Sequence, residues 1–315
     1  MKKLSIIIPF KGQTEKDLAI PLASINGQIG FDFSQIDVNL INDGGESIDP
    51  SKFDIFGNLT IRYHELKENV GPGMARQYGI DYSEGEYLMF MDSDDEMHYA
   101  GGLLDFFNLL KDKGDHPVII ARFLEQQRHN DTFYYIQSDT NNWGALHGKF
   151  FKRSYLLEKE LRFHPGLREA NEDLYFVGLA CLLADHVQPL ESVIYSWLWN
   201  KNSLSRIGEN GLIHKTHLFV DYCYFSAEKI REKKHEIIRS SVISSAFQCY
   251  DYYKNYPPLT PEDEQLFFNN MLRYWNDFEA ERENESLDLA EASKKRLQEA
   301  EFQAFLEKVK TRGKV

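Results

Sequence analysis

Three carboxylates occupy four positions at Asp92-Ser93-Asp94-Asp95, directly after the apolar run Tyr87-Leu88-Met89-Phe90-Met91. Like charges this close raise one another's pKa unless a cation lies between them. A hard divalent ion, Mg2+ or Mn2+, is the simplest neutraliser, and such an ion commonly also holds a substrate's phosphates. The competing reading is a solvated acidic turn that caps the next helix, since Asp is a favoured N-cap. A second acidic group, Glu169-Ala170-Asn171-Glu172-Asp173, precedes an apolar segment from Leu174 to Ala184 and reads by itself as the start of a helix complementing its dipole. Between the two acidic groups lies Trp143-Gly144-Ala145-Leu146-His147-Gly148-Lys149, small residues mixed with an aromatic and cations, which could floor a sugar-sized pocket. His147 ranks there as a packed polar residue ahead of a functional one.

The elements that must position these groups follow a strand-helix alternation. Leu4 to Phe10 is β-branched and apolar, a strand buried on both faces, with Pro9 expected to end its ladder. Helical spacing of Leu18, Pro21, Leu22 and Ile25 predicts a helix over about Glu15 to Gln28. A second strand, Ile36 to Ile41, runs into Asn42-Asp43-Gly44-Gly45, where the glycines permit a tight turn that presents Asp43 at the sheet's edge. Leu59 to His64 is a third strand, followed by Glu68-Asn69-Val70-Gly71-Pro72-Gly73-Met74-Ala75-Arg76. Loop amides and a helix N-terminus in that stretch would favour an anion such as a diphosphate, with Arg76 adding charge. An ordinary helix start with Arg76 in solvent is the alternative. The Tyr87 run is then a further strand, and in open α/β sheets ligands bind beyond the carboxyl ends of the strands, where Asp92, Asp94 and Asp95 would project. A helix over about Ala100 to Lys111 completes a pattern that implies a mainly parallel sheet with right-handed crossovers. Strand-like runs at Pro117 to Ala121 and Thr132 to Ile136 follow, the second read as antiparallel.

Composition bounds the partners. A chain of 315 residues with 42% hydrophobic and 14% aromatic residues can bury a sizeable core and suits one large domain with a smaller appendage. Its net charge of -13 argues against nucleic acid or an anionic membrane surface as principal partner. Cys181, Cys223 and Cys249 are widely spaced and lie in apolar surroundings, as buried thiols of a reducing cytosol would. The apolar run at the N-terminus is too short for a signal segment, and no stretch reaches the ~20 apolar residues of a membrane span. The expectation is a cytoplasmic protein, with a peripheral position at the inner face of a membrane left open.

Five segments, in order, resemble family 2 glycosyltransferases of the GT-A fold: Ser5-Ile6-Ile7-Ile8-Pro9, Asn42-Asp43-Gly44-Gly45, Asn69-Val70-Gly71 with Ala75-Arg76, Asp92-Ser93-Asp94-Asp95, and Asn171-Glu172-Asp173. His147-Gly148-Lys149-Phe150-Phe151-Lys152-Arg153 is similar to the Lys-containing segment that bacterial members carry between the last two. The resemblance covers about residues 4 to 206. It implies a Rossmann-like, mainly parallel sheet with flanking helices, and a metal-dependent inverting transfer of a sugar from a nucleotide diphosphate, a UDP-sugar foremost, to a hydroxyl acceptor. By the same resemblance Asp43 contacts the nucleobase, Asp92 the ribose or the metal, and Asp94 the ion. Pro9, Asn69, Gly71, Arg76 and Ser93 belong to the donor site, and Asp173, with Glu172 beside it, stands where the family carries its catalytic base. Trp143, His147 and Lys149 would line the sugar or acceptor side. Asn42-Asp43-Gly44-Gly45 lacks the family's usual second acid and serine, and Pro72 interrupts the glycine segment. The chemistry agrees with these roles: a cation stabilises the charge gathering on a departing diphosphate, and one carboxylate suffices to take the acceptor's proton.

After Asn210 the spacing predicts helices over Gly211 to Lys229, His235 to Tyr253, Pro261 to Phe278 and Leu287 to Val309. The organisation is thus a transferase domain over 1–208 and a helical region over 209–315 for acceptor recognition or self-association, with Leu297, Phe302, Phe305, Leu306 and Val309 as a surface or partner-facing stripe. Acceptors in view are carbohydrate, glycolipid or glycoprotein, and homo-oligomerisation would run through these helices. Competing readings are a nucleotidyltransferase, for which Phe10-Lys11-Gly12-Gln13 is a poor opening loop, a nucleotide-sugar-binding module without turnover, and a phage-type transferase acting on DNA or a host polymer.

Overall fold

The computed structural model describes residues 2–168, 170–201 and 212–314. The chain forms two compact units, 1–168 with 176–200, and 169–175 with 201–315. Glu169 and residues 202–211 lie outside the described residues, as does the expected domain boundary after 208.

The first unit alternates strand and helix as its apolar runs require: β1 (Leu4–Phe10), α1 (Glu15–Asn26), β2 (Ile36–Asn42), β3 (Ile61–Glu65), α2 (Pro72–Tyr82) and β4 (Tyr87–Phe90). Then come β5 (Glu96–Met97), α3 (Gly102–Lys113), β6 (Val118–His129), β7 (Thr132–Gln137), β8 (Lys149–Lys152), α4 (Arg153–Glu158), α5 (Glu172–Leu182), whose first residues through Tyr175 are grouped with the second unit, and β9 (Val187–Trp197). All strands join one sheet in the order β3-β2-β1-β4-β8-β6-β9-β5, with β7 paired to β6. β1 to β4 are mutually parallel where they touch, and β6 is parallel to β9. β8 enters antiparallel between β4 and β6, so the half of the sheet beyond β4 is mixed. Pro9 does not end β1, which continues in register to Phe10 opposite Asn42.

Close helix packing fixes the central strands. Thr14 and Asp17 form a capping box that starts α1, whose Leu18, Leu22 and Ile25 are buried. α2 lies so near β1 that a Cβ on Gly79 would come within 2.4 Å of Ile7 Cγ2, which is why this helix accepts glycine in its interior. β4, flanked by β1 and β8, is fully buried. Its last residues therefore emerge from a rigid core, and the acidic run begins one residue beyond them.

The second unit is helical, with α6 (Thr216–Lys233), α7 (Ile238–Asn255), α8 (Pro261–Asp277), α9 (Glu279–Arg282), α10 (Glu291–Leu297) and α11 (Ala300–Arg312). The expected final helix is broken between Leu297 and Ala300. Phe302, Phe305, Leu306 and Val309 are buried, so this stripe packs inward on the unit's own helices, Phe302 against Phe247 and Phe305 against Tyr250. Cys223 and Cys249 are buried free thiols with their sulfurs 3.6 Å apart, and Cys181 in the first unit is likewise buried and free.

Asp221 of α6 accepts from Asn270 Nδ2 of α8 at 2.9 Å. Burial pushes its carboxyl up to about 6 from the ordinary 3.8, against a smaller opposing pull from Arg273. A carboxyl raised in the folded state favours folding while protonated. Its contribution is therefore full below about pH 4 and is lost as pH rises to about 6. Asp221→Asn should flatten the decline of thermal stability between pH 4 and 7 and raise the melting temperature at pH 7.5. An unaltered pH profile in differential scanning calorimetry would contradict this.

Candidate active site

The acidic run turns immediately after β4, and each of its acids meets a different environment. Asp92 forms an ion pair with the buried Arg76 of α2, Oδ1 to Nη2 at 2.7 Å, and its Oδ2 lies 3.5 Å from His147 Nε2. Burial works to raise the Asp92 carboxyl, but the Arg76 guanidinium and the His147 ring outweigh it and hold the group well below the usual carboxylate range. Asp94 accepts from Asn200 Nδ2 at 2.7 Å. Asp95 is 0% exposed and accepts from the Tyr195 hydroxyl at 2.6 Å and the Leu198 amide at 2.8 Å. Burial first, and the Asp92 charge second, push Asp95 well above the ordinary value, and burial with the nearby Asp95 does the same to Tyr195. The Tyr195 hydroxyl also accepts from the Asp92 amide at 3.1 Å, so one side chain of β9 clasps both ends of the turn.

His147, from the loop before β8, completes this cluster. Its ring meets Phe123 edge-on and lies tilted against Tyr195 and Trp197, at centroid distances of 5.2, 5.0 and 4.8 Å. Asp92, Asp95 and His147 each offer a donor atom within 4.8 Å of the others. Two ligands of one divalent ion, with bonds of about 2.1 Å, stand about 3.0 to 3.4 Å apart. The 3.5 Å between Asp92 Oδ2 and His147 Nε2 suits a shared ion. Asp95 is less suited, since its oxygens already serve Tyr195 and Leu198.

The remaining expected residues fall in several places. Asp43 does not project from the sheet's edge: it is 4% exposed, and its carboxylate accepts from the Val70 amide at 2.7 Å and the Gly71 amide at 3.0 Å. Those amides immediately precede α2, whose N-cap is Gly71, so a carboxylate from another loop stands at the positive end of the helix dipole. Gly44, at φ 67°, allows the approach, because a Cβ there would sit 2.4 Å from the Asn69 nitrogen. Asn69 Oδ1 shares the Gly71 amide at 2.9 Å, and Arg168 donates to the Asn69 carbonyl. Pro9 and Ser93 are buried, Ser93 within the acidic turn. Lys149 is 0% exposed, with Nζ 3.5 Å from the His147 carbonyl, whereas Trp143 is 42% exposed on the loop ahead of it. Glu172 and Asp173 form the first turn of α5, in the segment grouped with the second unit, and Asp173 Oδ1 accepts from the Leu174 amide at 2.7 Å.

Tyr195 and Asn200 are absent from the sequence reading. Their only signal is that the apolar run closing the first unit contains a tyrosine and ends in an asparagine, and nothing local ties either residue to an acid about 100 positions earlier.

The model of Glycosyl transferase family 2 matches residues 5–170, more than half of the chain. Poly(ribitol-phosphate) beta-N-acetylglucosaminyltransferase TarP of Staphylococcus aureus strain N315 is 32% identical over 126 residues, 38% of this chain and 36% of that protein. The match thus spans about a third of the relative's length. Among solved structures, S. aureus TarS 1-349 in complex with UDP-GlcNAc superposes with a TM-score of 0.65 at 16% identity over 86% of this chain and 80% of that one. The mannosyltransferase PcManGT from Pyrobaculum calidifontis, in complex with GDP-Man and Mn2+, gives 0.53 at 12% identity over 98% and 84%. At these identities the structures establish the fold, a GT-A-like mixed sheet with flanking helices followed by a helical region.

Removing the Tyr195 hydroxyl would leave the buried Asp95 carboxyl and the Asp92 amide short of a partner each. Tyr195→Phe should cost about 1–3 kcal/mol in urea unfolding. A midpoint equal to that of the wild type would show that the turn does not depend on the clasp.

Proposed function

This chain belongs to Glycosyl transferase family 2, and from that premise we propose that it moves a sugar from a nucleotide diphosphate, UDP-GlcNAc in first place, to a hydroxyl of a cell-surface glycan. The observation that carries the reading is the convergence of Arg76, Asp92 and His147 on one turn at the carboxyl end of β4, where an open sheet of this kind binds ligands. The donor assignment is supported by the fold shared with TarS in complex with UDP-GlcNAc, and the surface-glycan assignment by TarP.

In this proposal Asp92, with His147 beside it and Asp94 turning from Asn200, would hold a Mn2+ or Mg2+ ion. When bound, that ion supplies a positive charge to the leaving diphosphate. Arg76 keeps Asp92 ionised and oriented, and Tyr195 with Asp95 keeps the turn from shifting. Asp43 fixes the start of α2 and so the position of Arg76, a role in place of, or alongside, contact with the nucleobase. Asp173 is the proposed general base. It takes the proton of the acceptor hydroxyl as that oxygen bonds to the anomeric carbon and the bond from that carbon to the diphosphate oxygen breaks, with UDP leaving. A single displacement of this kind inverts the anomeric centre. Glu172 would orient Asp173 or the acceptor. Among the described residues no helix is long and apolar enough to cross a membrane. The proposed place of action is the cytoplasm, at the inner face of the membrane where a growing glycan would be met.

Asp173→Asn keeps the size and much of the hydrogen bonding of the residue but cannot take a proton. The variant should bind UDP with Mn2+ as the wild type does, in calorimetry, while transfer of labelled GlcNAc to a crude surface-glycan fraction falls by about a hundredfold or more, the usual contribution of a general base. Turnover within twofold of wild type would remove Asp173 as the base.

A further inference from the structure

β7 is the most exposed regular element of the first unit. Phe133, Tyr134, Tyr135 and Ile136 are 47, 46, 57 and 48% exposed. Four consecutive large apolar side chains on a free strand edge invite association, and soluble proteins ordinarily avoid them. β7 pairs with the outer half of β6, so the two form a ribbon extending the sheet past the end of β8.

Register divides the ribbon into two chemically different faces. Gln127 is opposite Tyr134 and Glu125 is opposite Ile136, while Arg128 is opposite Phe133 and Gln126 is opposite Tyr135. Opposed residues share a face and successive residues alternate. The parallel pairing of β6 with β9 sets Phe123 beside Tyr195 and Glu125 beside Trp197. One face therefore runs Tyr195, Trp197, Glu125, Gln127, Tyr134 and Ile136. It is the face on which His147 stacks against Tyr195 and Trp197 and on which Tyr195 meets Asp95. The other face carries Phe133 and Tyr135, with the Arg128 guanidinium 5.9 Å from the Phe133 ring and 5.0 Å from that of Trp199.

We propose that the Tyr134 face of this ribbon is a shelf for the acceptor, and that the acceptor presents uncharged sugar units there. This rests on the transferase reading and names a subsite for it. A sugar ring has an apolar C–H face, which stacks on aromatic and aliphatic side chains, and a rim of hydroxyls, which pair with planar carboxamides and carboxylates. Tyr134 and Ile136 supply the first, Gln127 and Glu125 the second. The shelf leads toward the acidic turn through Trp197, whose ring lies 4.8 Å from that of His147, itself 3.5 Å from Asp92. Glu125 on the shelf selects against a phosphate-rich polymer or an anionic bilayer.

The test uses the full chain with Tyr134→Ala/Ile136→Ala and, from the opposite face of the same ribbon, Tyr135→Ala. All three side chains are exposed, so equal melting temperatures are expected. Retention on an array of neutral oligosaccharides should be clear for the wild type, reduced about tenfold or more in the double variant, and within twofold of wild type in Tyr135→Ala. UDP release from UDP-GlcNAc in the presence of a crude surface-glycan fraction is followed in parallel: its absence from the wild type would overturn the transferase reading, whereas the shelf is judged on retention. The shelf is overturned if the wild type is retained by no neutral glycan, if both variants lose binding equally, or if only poly(ribitol phosphate) retains the protein. It is likewise overturned if the double variant instead converts a wild-type dimer to monomer in light scattering, or abolishes binding to phosphatidylglycerol vesicles.

Discussion

The ion pair between Arg76 and Asp92 is the constraint around which the first unit is arranged. A carboxylate at the end of a buried strand is costly unless a cation meets it. Here the cation comes from a helix pressed against the neighbouring strand, made possible by a glycine where any side chain would strike Ile7. The same helix begins at amides held by Asp43, itself brought close by the turn at Gly44. Loop, helix and strand thus converge on one charge.

Beside that charge lies a second carboxyl in a different setting. Asp95 accepts from the Tyr195 hydroxyl, and its burial pushes the carboxyl up while Arg76 and His147 hold that of Asp92 down, so two acids three positions apart are driven in opposite directions by their surroundings. Paired groups driven apart in this way are common at functional sites. Asp92 turns Oδ2 toward His147, and Asp95 ties the turn to Tyr195 of β9. A chain that only needed to close a turn would have no use for this division of roles.

Much of the first half was legible in the residues. The strands and helices up to β4 obey local periodicity, and the motifs carrying the family resemblance sit at the ends of those strands. Legibility fell where pairing is non-local. β8 enters antiparallel and β6 shifts register against β9 between Ala121 and Phe123, neither of which is marked by spacing. Asp43 looked outward because a turn after a strand usually is; the amides of Val70 and Gly71, just ahead of α2, drew it in. His147 ranked low as an isolated histidine and gained its place only when the fold set it against Asp92. The stripe of the last helix looked free because amphipathic spacing alone cannot say what covers it, and it proved to be filled by the unit's own aromatics.

The most direct test is anomalous diffraction at the manganese edge from a crystal grown with UDP and Mn2+. The account predicts a peak about 2.0–2.3 Å from an Asp92 oxygen, with His147 or Asp94 completing the protein ligands and Arg76 still paired to Asp92. An anomalous peak away from the turn after β4, or none with UDP bound, would contradict it.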